Sequence, residues 1–410
     1  MKNQMNSKWN FDIKFECYLI AMWLGVLSVE PLHASSTLFW TVNLVCFILL
    51  ILRQIMYLKL QFFALILGCA GVISFFLSIE YLSIDVKSIG TNVGIGTIPM
   101  YYVLFSNMEQ SKPLSEAIID KNLKVLSRLG TITFLQAWIL DFSDIYQATF
   151  GNLDAYEAEL SGIFYTKNIY GAFIALSMCA DLYLYKKSKN YQYIWIIQCM
   201  LKVLAIVLSY SRAAMLQASV AIVLFYLLQK RYTLMEIWVA VTAGITAFLI
   251  TYLNPDVIVF IQEKILRIDI GDTGRGQARQ EAIERIPDTI MTKLFGVGYS
   301  GVVAFDIDID NSFYYLYFTG GWVKVILYLV LIGWFLYKCM LLRNKNAILG
   351  NICLAVGISY LAFGWFESIP LFELGLLNYV FMWFMYFIPC GNDEVNLKKK
   401  SKERTVRKYK

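Results

Sequence analysis

"SFYYLYFTGGWVKVILYLVLIGWFLY", residues 312–337, carries one charged side chain, Lys324, over a length that crosses a bilayer. As an α-helix it would reach about 39 Å, against roughly 30 Å of hydrocarbon. Just before it stands "GDTGRGQARQEAIERIPDTIMTKLFGVGYS" (271–300), polar and arginine-bearing. The same alternation runs through the chain. Hydrophobic residues make up 58% of its 410 positions, where soluble domains hold roughly 45–50%. This composition implies an integral membrane protein. Apolar runs predict about twelve spans, near 15–31, 36–53, 60–79, 89–107, 127–143, 168–185, 192–210, 212–229, 234–253, 312–337, 347–366 and 370–389. The fold class expected is an all-α polytopic membrane protein, a single membrane domain over 1–410. Within it, 254–311 forms one large external loop carrying a short amphipathic helix.

Lysine and arginine set the orientation. With the N-terminus inside, the inner segments hold 25 of the 36 basic residues, the outer ones nine, and two (Lys202, Lys324) fall within spans. Both termini are therefore expected in the cytoplasm, and 254–311 outside. The basic tail at 390–410, ending "LKKKSKERTVRKYK", is explained by anionic lipid headgroups and needs no nucleic acid. The eight cysteines lie in spans or at their inner ends, against a disulfide framework or a thiolate metal site. His33 is the one histidine, which weighs against haem, quinone-site and zinc chemistry. Gly90 and Gly94 form a small-xxx-small step suited to helix packing, with no P-loop lysine beside them.

Both long outer segments, 144–167 and 254–311, are acidic overall, so a cationic site there must be local. Residues 271–300 supply one. Asp272 or Thr273 can cap a helix that places Arg275 and Arg279 one turn apart and that Pro287 helps to end. Glu281 and Arg285 form an i, i+4 surface pair. Arg275 at the helix start opposes the helix dipole unless an anion is bound there. Arg212, in "LSYSRAAMLQASV", stands where two spans meet with almost no loop, and a charge so near hydrocarbon needs a partner or a ligand, or else snorkels to the headgroups. Gly296, Gly298 and Gly301 permit tight turns that bring the loop back to the membrane. Asp306, Asp308 and Asp310 alternate with apolar residues, but the pattern departs from a calcium loop at Asn311 and Tyr317. Asp310 stands where the chain re-enters the bilayer, a position from which a carboxylate can take a proton from a sugar hydroxyl. Lys202 and Lys324 each need a buried acid or a function.

Four pieces, "SGIFYTKNIYGAF" (161–173), "SYSRAAML" (209–216), "TGRGQARQEAI" (273–283) and "FGVGYS…DNSFYYLYFTGG" (295–321), resemble the O-antigen polymerase and O-antigen ligase superfamily in order and in their common outer side. The resemblance implies a GT-C-like membrane glycosyltransferase that draws glycan from an undecaprenyl-pyrophosphate donor, without metal or other cofactor. Carried over by position, Arg212 and Arg275 would hold the pyrophosphate, and Asp310 would take the place of the loop base, with Glu367 in reserve. Arg279, Lys167, Asn168, Asn311 and Lys324 are candidates for substrate binding. Ligases of the superfamily characteristically have a histidine beside the asparagine, where this chain has Asp310. The reading is therefore a polymerase that joins lipid-linked repeat units into O-antigen or capsule on the outer face of the cell membrane. The ligase and, further off, a lipid-linked oligosaccharide flippase are the alternatives. Its partners would be the lipid-linked donor and acceptor and membrane lipids, with room for a chain-length regulator.

Overall fold

The computed structural model describes residues 15–27, 116–143, 160–162, 164, 166–188, 191–229, 283–305, 311–367 and 376–391, with positions 45, 146–147 and 281 beside them. Every regular element among them is helical. In chain order they are α1 (Phe15–Leu27), α2 (Glu116–Leu140), α3 (Lys167–Lys187), α4 (Gln192–Leu208), α5 (Arg212–Leu227), α6 (Ile290–Phe295), α7 (Gly298–Ala304), α8 (Ser312–Lys345), α9 (Ala347–Phe366) and α10 (Leu376–Met382). The last continues through a π turn at Trp383–Phe387 into Ile388–Gly391.

The expected spans at 36–53 (apart from position 45), 60–79, 89–107 and 234–253 lie outside the described residues. Among those described, α9 is long and apolar enough to cross a membrane, and α8 qualifies as a broken span, bent by 60° between Ser312–Ile326 and Tyr328–Lys345. α4 and α5, at 17 and 16 residues, sit at the short end of what a bilayer requires. Two expected boundaries shift. The helix expected at 127–143 starts at Glu116, because the charged turn Glu116–Arg128 stays helical beyond the apolar stretch. The helix expected at 312–337 runs on to Lys345.

α3 is the centre of the bundle. It packs on α2, α4, α5, α9 and α10, and every residue from Tyr170 to Tyr185 is buried. A helix enclosed on all sides meets protein and not lipid, so it tolerates Ser177 and Asp181 where a lipid-facing helix would not. Small residues set its closest approaches. A Cβ on Gly171 would come within 2.5 Å of Ala214 Cβ on α5, and one on Gly130 of α2 within 2.0 Å of Ser177 Oγ. Close backbone contact of this kind replaces the hydrophobic drive that lipid cannot supply. Gly171→Val is expected to push α3 off α5 and cost about 2–3 kcal/mol by overpacking, read as a lower thermal midpoint in detergent.

The two ends of the bundle differ. At the basic end, Lys187 pairs with Asp120 (2.8 Å) and Glu116 (3.6 Å), and Asn346 Nδ2 donates to Glu116 Oε1 (2.9 Å). There too, Arg343 Nη2 (3.0 Å) and Asn351 Nδ2 (3.1 Å) donate to the Leu228 carbonyl, satisfying the C-terminus of α5. The opposite end carries the starts of α3, α5 and α8 and the finish of α9. The long polar segments connect there, and it is called the loop end below.

Candidate functional site at the loop end of the bundle

Two helix starts meet at the loop end. Thr166 caps α3, its hydroxyl accepting from Ile169 N (3.2 Å), and Ser211 caps α5, accepting from Ala214 N (3.3 Å). Ser211 Oγ donates to Asn168 Oδ1 at 2.6 Å, which ties the two starts together. The turn between α4 and α5 is three residues long, so the chain reverses sharply. Ser209 Oγ donates to the Ile206 carbonyl (2.7 Å) and accepts from Ser211 N (3.3 Å). Tyr210 takes a left-handed backbone (φ 50°), the only described non-glycine residue to do so. Such a conformation in a bulky residue persists only where the surroundings fix it. Lys167 and Arg212 occupy the first helical positions of α3 and α5, half-buried and exposed respectively. Two aligned dipoles and two cations thus face the same end, an arrangement suited to a phosphate-like anion.

A second anchored junction lies at the start of α8. Asn311 is fully buried; its Oδ1 accepts from Phe313 N (2.9 Å) and Tyr314 N (3.1 Å), and its Nδ2 donates to the Trp365 carbonyl (2.7 Å). Ser312 Oγ donates to the Glu367 carbonyl at 2.8 Å. The asparagine expected to meet substrate therefore uses both ends of its amide to lock α8 onto the end of α9, directly after Asp310 in the chain. Asn311→Ala is expected to cost about 1–2 kcal/mol, by analogy with other lost caps. Asn311→Asp, which keeps the cap and loses the bond to Trp365, is expected to fall between it and the wild type in thermal denaturation.

The loop returns to this junction through glycine. Gly296 (φ 74°, ψ −172°) follows α6, and Gly321 (φ 63°, ψ −169°) interrupts α8. Both lie in a backbone region open in practice to glycine alone. They face one another's strands of chain. A Cβ on Gly296 would come within 2.5 Å of Gly320 N, one on Gly321 within 2.2 Å of Leu294 C, and Val297 N donates to the Phe318 carbonyl at 2.8 Å. The glycine turn does return the chain to the bundle, as the sequence suggests, by docking into a break in α8. Gly301 takes no part, since it is helical within α7. A cleft of about 330 Å³ beside the dock is lined by Glu284, Pro287, Lys293, Tyr317 and Phe318 among others.

Lys324 is nearly buried. Its Nζ donates to Thr319 Oγ1 (3.0 Å) and lies 5.9 Å from the Tyr328 ring centroid, beside the break in α8. Glu281 and Arg285 approach within 3.8 Å, with side chains 64% and 48% exposed. Pairs this exposed contribute little, so Arg285→Ala is expected to change stability by less than about 0.5 kcal/mol. Asp288 pairs with Lys293 on the surface and holds its ammonium above the usual lysine range by a direct hydrogen bond. Asp310, Arg275 and Arg279 lie outside the described residues.

The structure therefore joins Asn168 to the turn bearing Arg212, and Asn311 to the turn bearing Glu367, all at one end of the bundle. Sequence reasoning missed Ser211 as the link and Asp181 as the partner of Lys202. The second was available as an acid and a base in consecutive expected spans.

A helical membrane bundle with two cationic helix starts at one end and a short polar segment docked into α8 is the class these features define. Residues 197–325 match the family described as O-antigen ligase. The matched segment is less than a third of the 410-residue chain. The family covers ligases and polymerases, bacterial integral membrane enzymes of glycosyltransferase type that work on lipid-linked glycans. The matched segment runs from within α4 through α5 to the dock, ending just past Lys324. No curated protein matches the chain.

Proposed function

We propose that the protein is a polysaccharide polymerase of the GT-C type. It would join undecaprenyl-pyrophosphate-linked repeat units into O-antigen or capsular polysaccharide at the outer face of the cell membrane, with both termini in the cytoplasm. The observation that carries this reading is the Asn168–Ser211 link, which sets Lys167 and Arg212 at two adjoining helix starts. In this proposal Arg212, Lys167 and, from the loop, Arg275 hold the donor pyrophosphate, and Arg279 lies beside them. The acceptor hydroxyl attacks the anomeric carbon and gives its proton to Asp310 as the new C–O bond forms and the bond to pyrophosphate breaks. The cations stabilise the negative charge that gathers on the leaving group. Glu367 is the reserve base. Asn168, Asn311 and Lys324 shape the site, Asn311 chiefly by fixing the segment that follows Asp310.

The ligase is the second reading, favoured by the description of the matched family; it differs in the acceptor and uses the same leaving group. A complementation experiment tests the choice of residues. In a strain lacking the polymer, Arg275→Ala and Asp310→Asn are expected to restore none, while Arg285→Ala restores it fully. Full polymer length with Asp310→Asn would remove the aspartate from the mechanism.

A further inference from the structure

Midway through the bundle lies a polar cluster that the proposed chemistry does not use. Lys202 of α4 and Asp181 of α3 are 1% and 0% exposed and meet at 2.5 Å. Lys202 Nζ also donates to the Ser127 carbonyl of α2 at 2.9 Å. The Ser127 hydroxyl lies within hydrogen-bond reach of Asp181 and of Gln198. One lysine thus ties its own helix to two others, and a Cβ on Gly130 would fall 3.1 Å from its Cε.

α4 packs one face on α3 and α2 and leaves the other open. Of its 17 residues, Trp195, Lys202, Ala205 and Ile206 are buried, whereas Ile197, Met200, Val203, Leu204 and Val207 face outward. In lipid an apolar face gives no preference for one register over another. A charge at this depth does, because any rotation or slide that separates it from its partner leaves it unpaired in a medium of low dielectric. From Lys202 the helix runs six residues to its end at Leu208, and the tight Ser209–Ser211 turn then delivers Arg212.

We propose that the Asp181–Lys202 pair, with the Ser127 carbonyl, is a positioning node that sets the α4–α5 turn against the start of α3, so that Asn168, Ser211 and Arg212 assemble at the loop end. Its importance for catalysis rests on the function proposed above; the positioning itself does not.

The test uses the full-length protein in membranes and a short bis-methanethiosulfonate cross-linker, with linked peptides identified by mass spectrometry. One cysteine pair, Asn168→Cys with Ser211→Cys, reports the loop end. A second, Glu116→Cys with Asn346→Cys, reports the basic end, where the native side chains are 2.9 Å apart. Lys202→Met alone strands a buried carboxylate and endangers folding, so the decisive variant is Asp181→Leu with Lys202→Met, which leaves no unpaired charge. In that variant the loop-end cross-linking rate is expected to fall about tenfold while the basic-end rate stays unchanged, the size of a modest coupling energy. A loop-end rate equal to wild type overturns the proposal, and so does an equal loss at both ends. If the loop-end rate falls as expected but Arg212→Ala retains full glycan transfer, the node stands and the catalytic reading fails.

Discussion

Arg212→Ala is expected to lower glycan transfer by roughly 10²- to 10³-fold, the range seen when one preorganised charge-stabilising group is removed, and to leave the bundle intact. The expectation of an intact fold comes from its placement. Arg212 is exposed at the first position of α5, and the cap of that helix is the side chain of Ser211, which the substitution leaves in place. Arg212→Lys keeps the charge but loses the planar fork that engages two phosphate oxygens together, so an intermediate rate is expected. Initial rates at saturating and limiting donor separate the contributions. If the arginine acts on charge that develops as the anomeric bond breaks, kcat falls; if it only binds the donor, KM rises and kcat holds.

Gly321→Ala is expected to carry the largest stability cost of any single methyl group added to the described residues, about 3 kcal/mol or more. Two terms combine: a backbone region that side chains avoid, and a Cβ 2.2 Å from Leu294 C and 2.3 Å from Leu294 O, rigid chain that cannot swing aside. Neighbouring glycines supply the controls. A Cβ on Gly320 would crowd the side chain of Lys324, its own Cβ at 2.5 Å included, but the nearest atoms are side chain and not backbone and the site lacks a positive φ, so Gly320→Ala is expected to cost less than Gly321→Ala. Nothing lies within 4 Å of a Cβ on Gly333, where alanine is expected to be neutral or to favour the helix by about 0.5–1 kcal/mol. Limited proteolysis should show faster cleavage within 283–297 in Gly321→Ala alone, together with a fall in thermal midpoint. Equal behaviour of the three variants would mean that the loop does not depend on the break in α8.

Much of this arrangement is legible in the residues. Apolar runs and their polar interruptions locate α3, α4, α5, α9 and the start of α8 to within a few residues, because burial in lipid or in a helical core selects the same side chains. The 295–321 motif points to the loop's return, while most of the 273–283 motif lies outside the described residues. The mutual fit of the returning segments is not legible, since nothing in the string "TGG" says that its second glycine will receive the backbone of Leu294. Asn311 illustrates the same limit. Its type and place suggest contact with substrate, and its partners, a carbonyl at Trp365 and two amides at the start of α8, become apparent only once two distant segments are brought together. Lys202 stands out by its depth in a span, and the choice of Asp181 over other acids depends on the packing of α3 against α4. Where a charge is costly the sequence marks it; where a polar group serves as a strut, only the fold does.

The most direct test of the central claim is reconstitution of the purified protein with its lipid-pyrophosphate repeat unit, followed by electrophoresis of the glycan. A ladder of regularly spaced products is expected from the wild type and is expected to disappear in Arg275→Ala and Asp310→Asn variants with unchanged thermal midpoints. Absence of a ladder from wild type, with intact glycan passing instead to a lipid-A-core acceptor, would contradict the polymerase and make the protein a ligase.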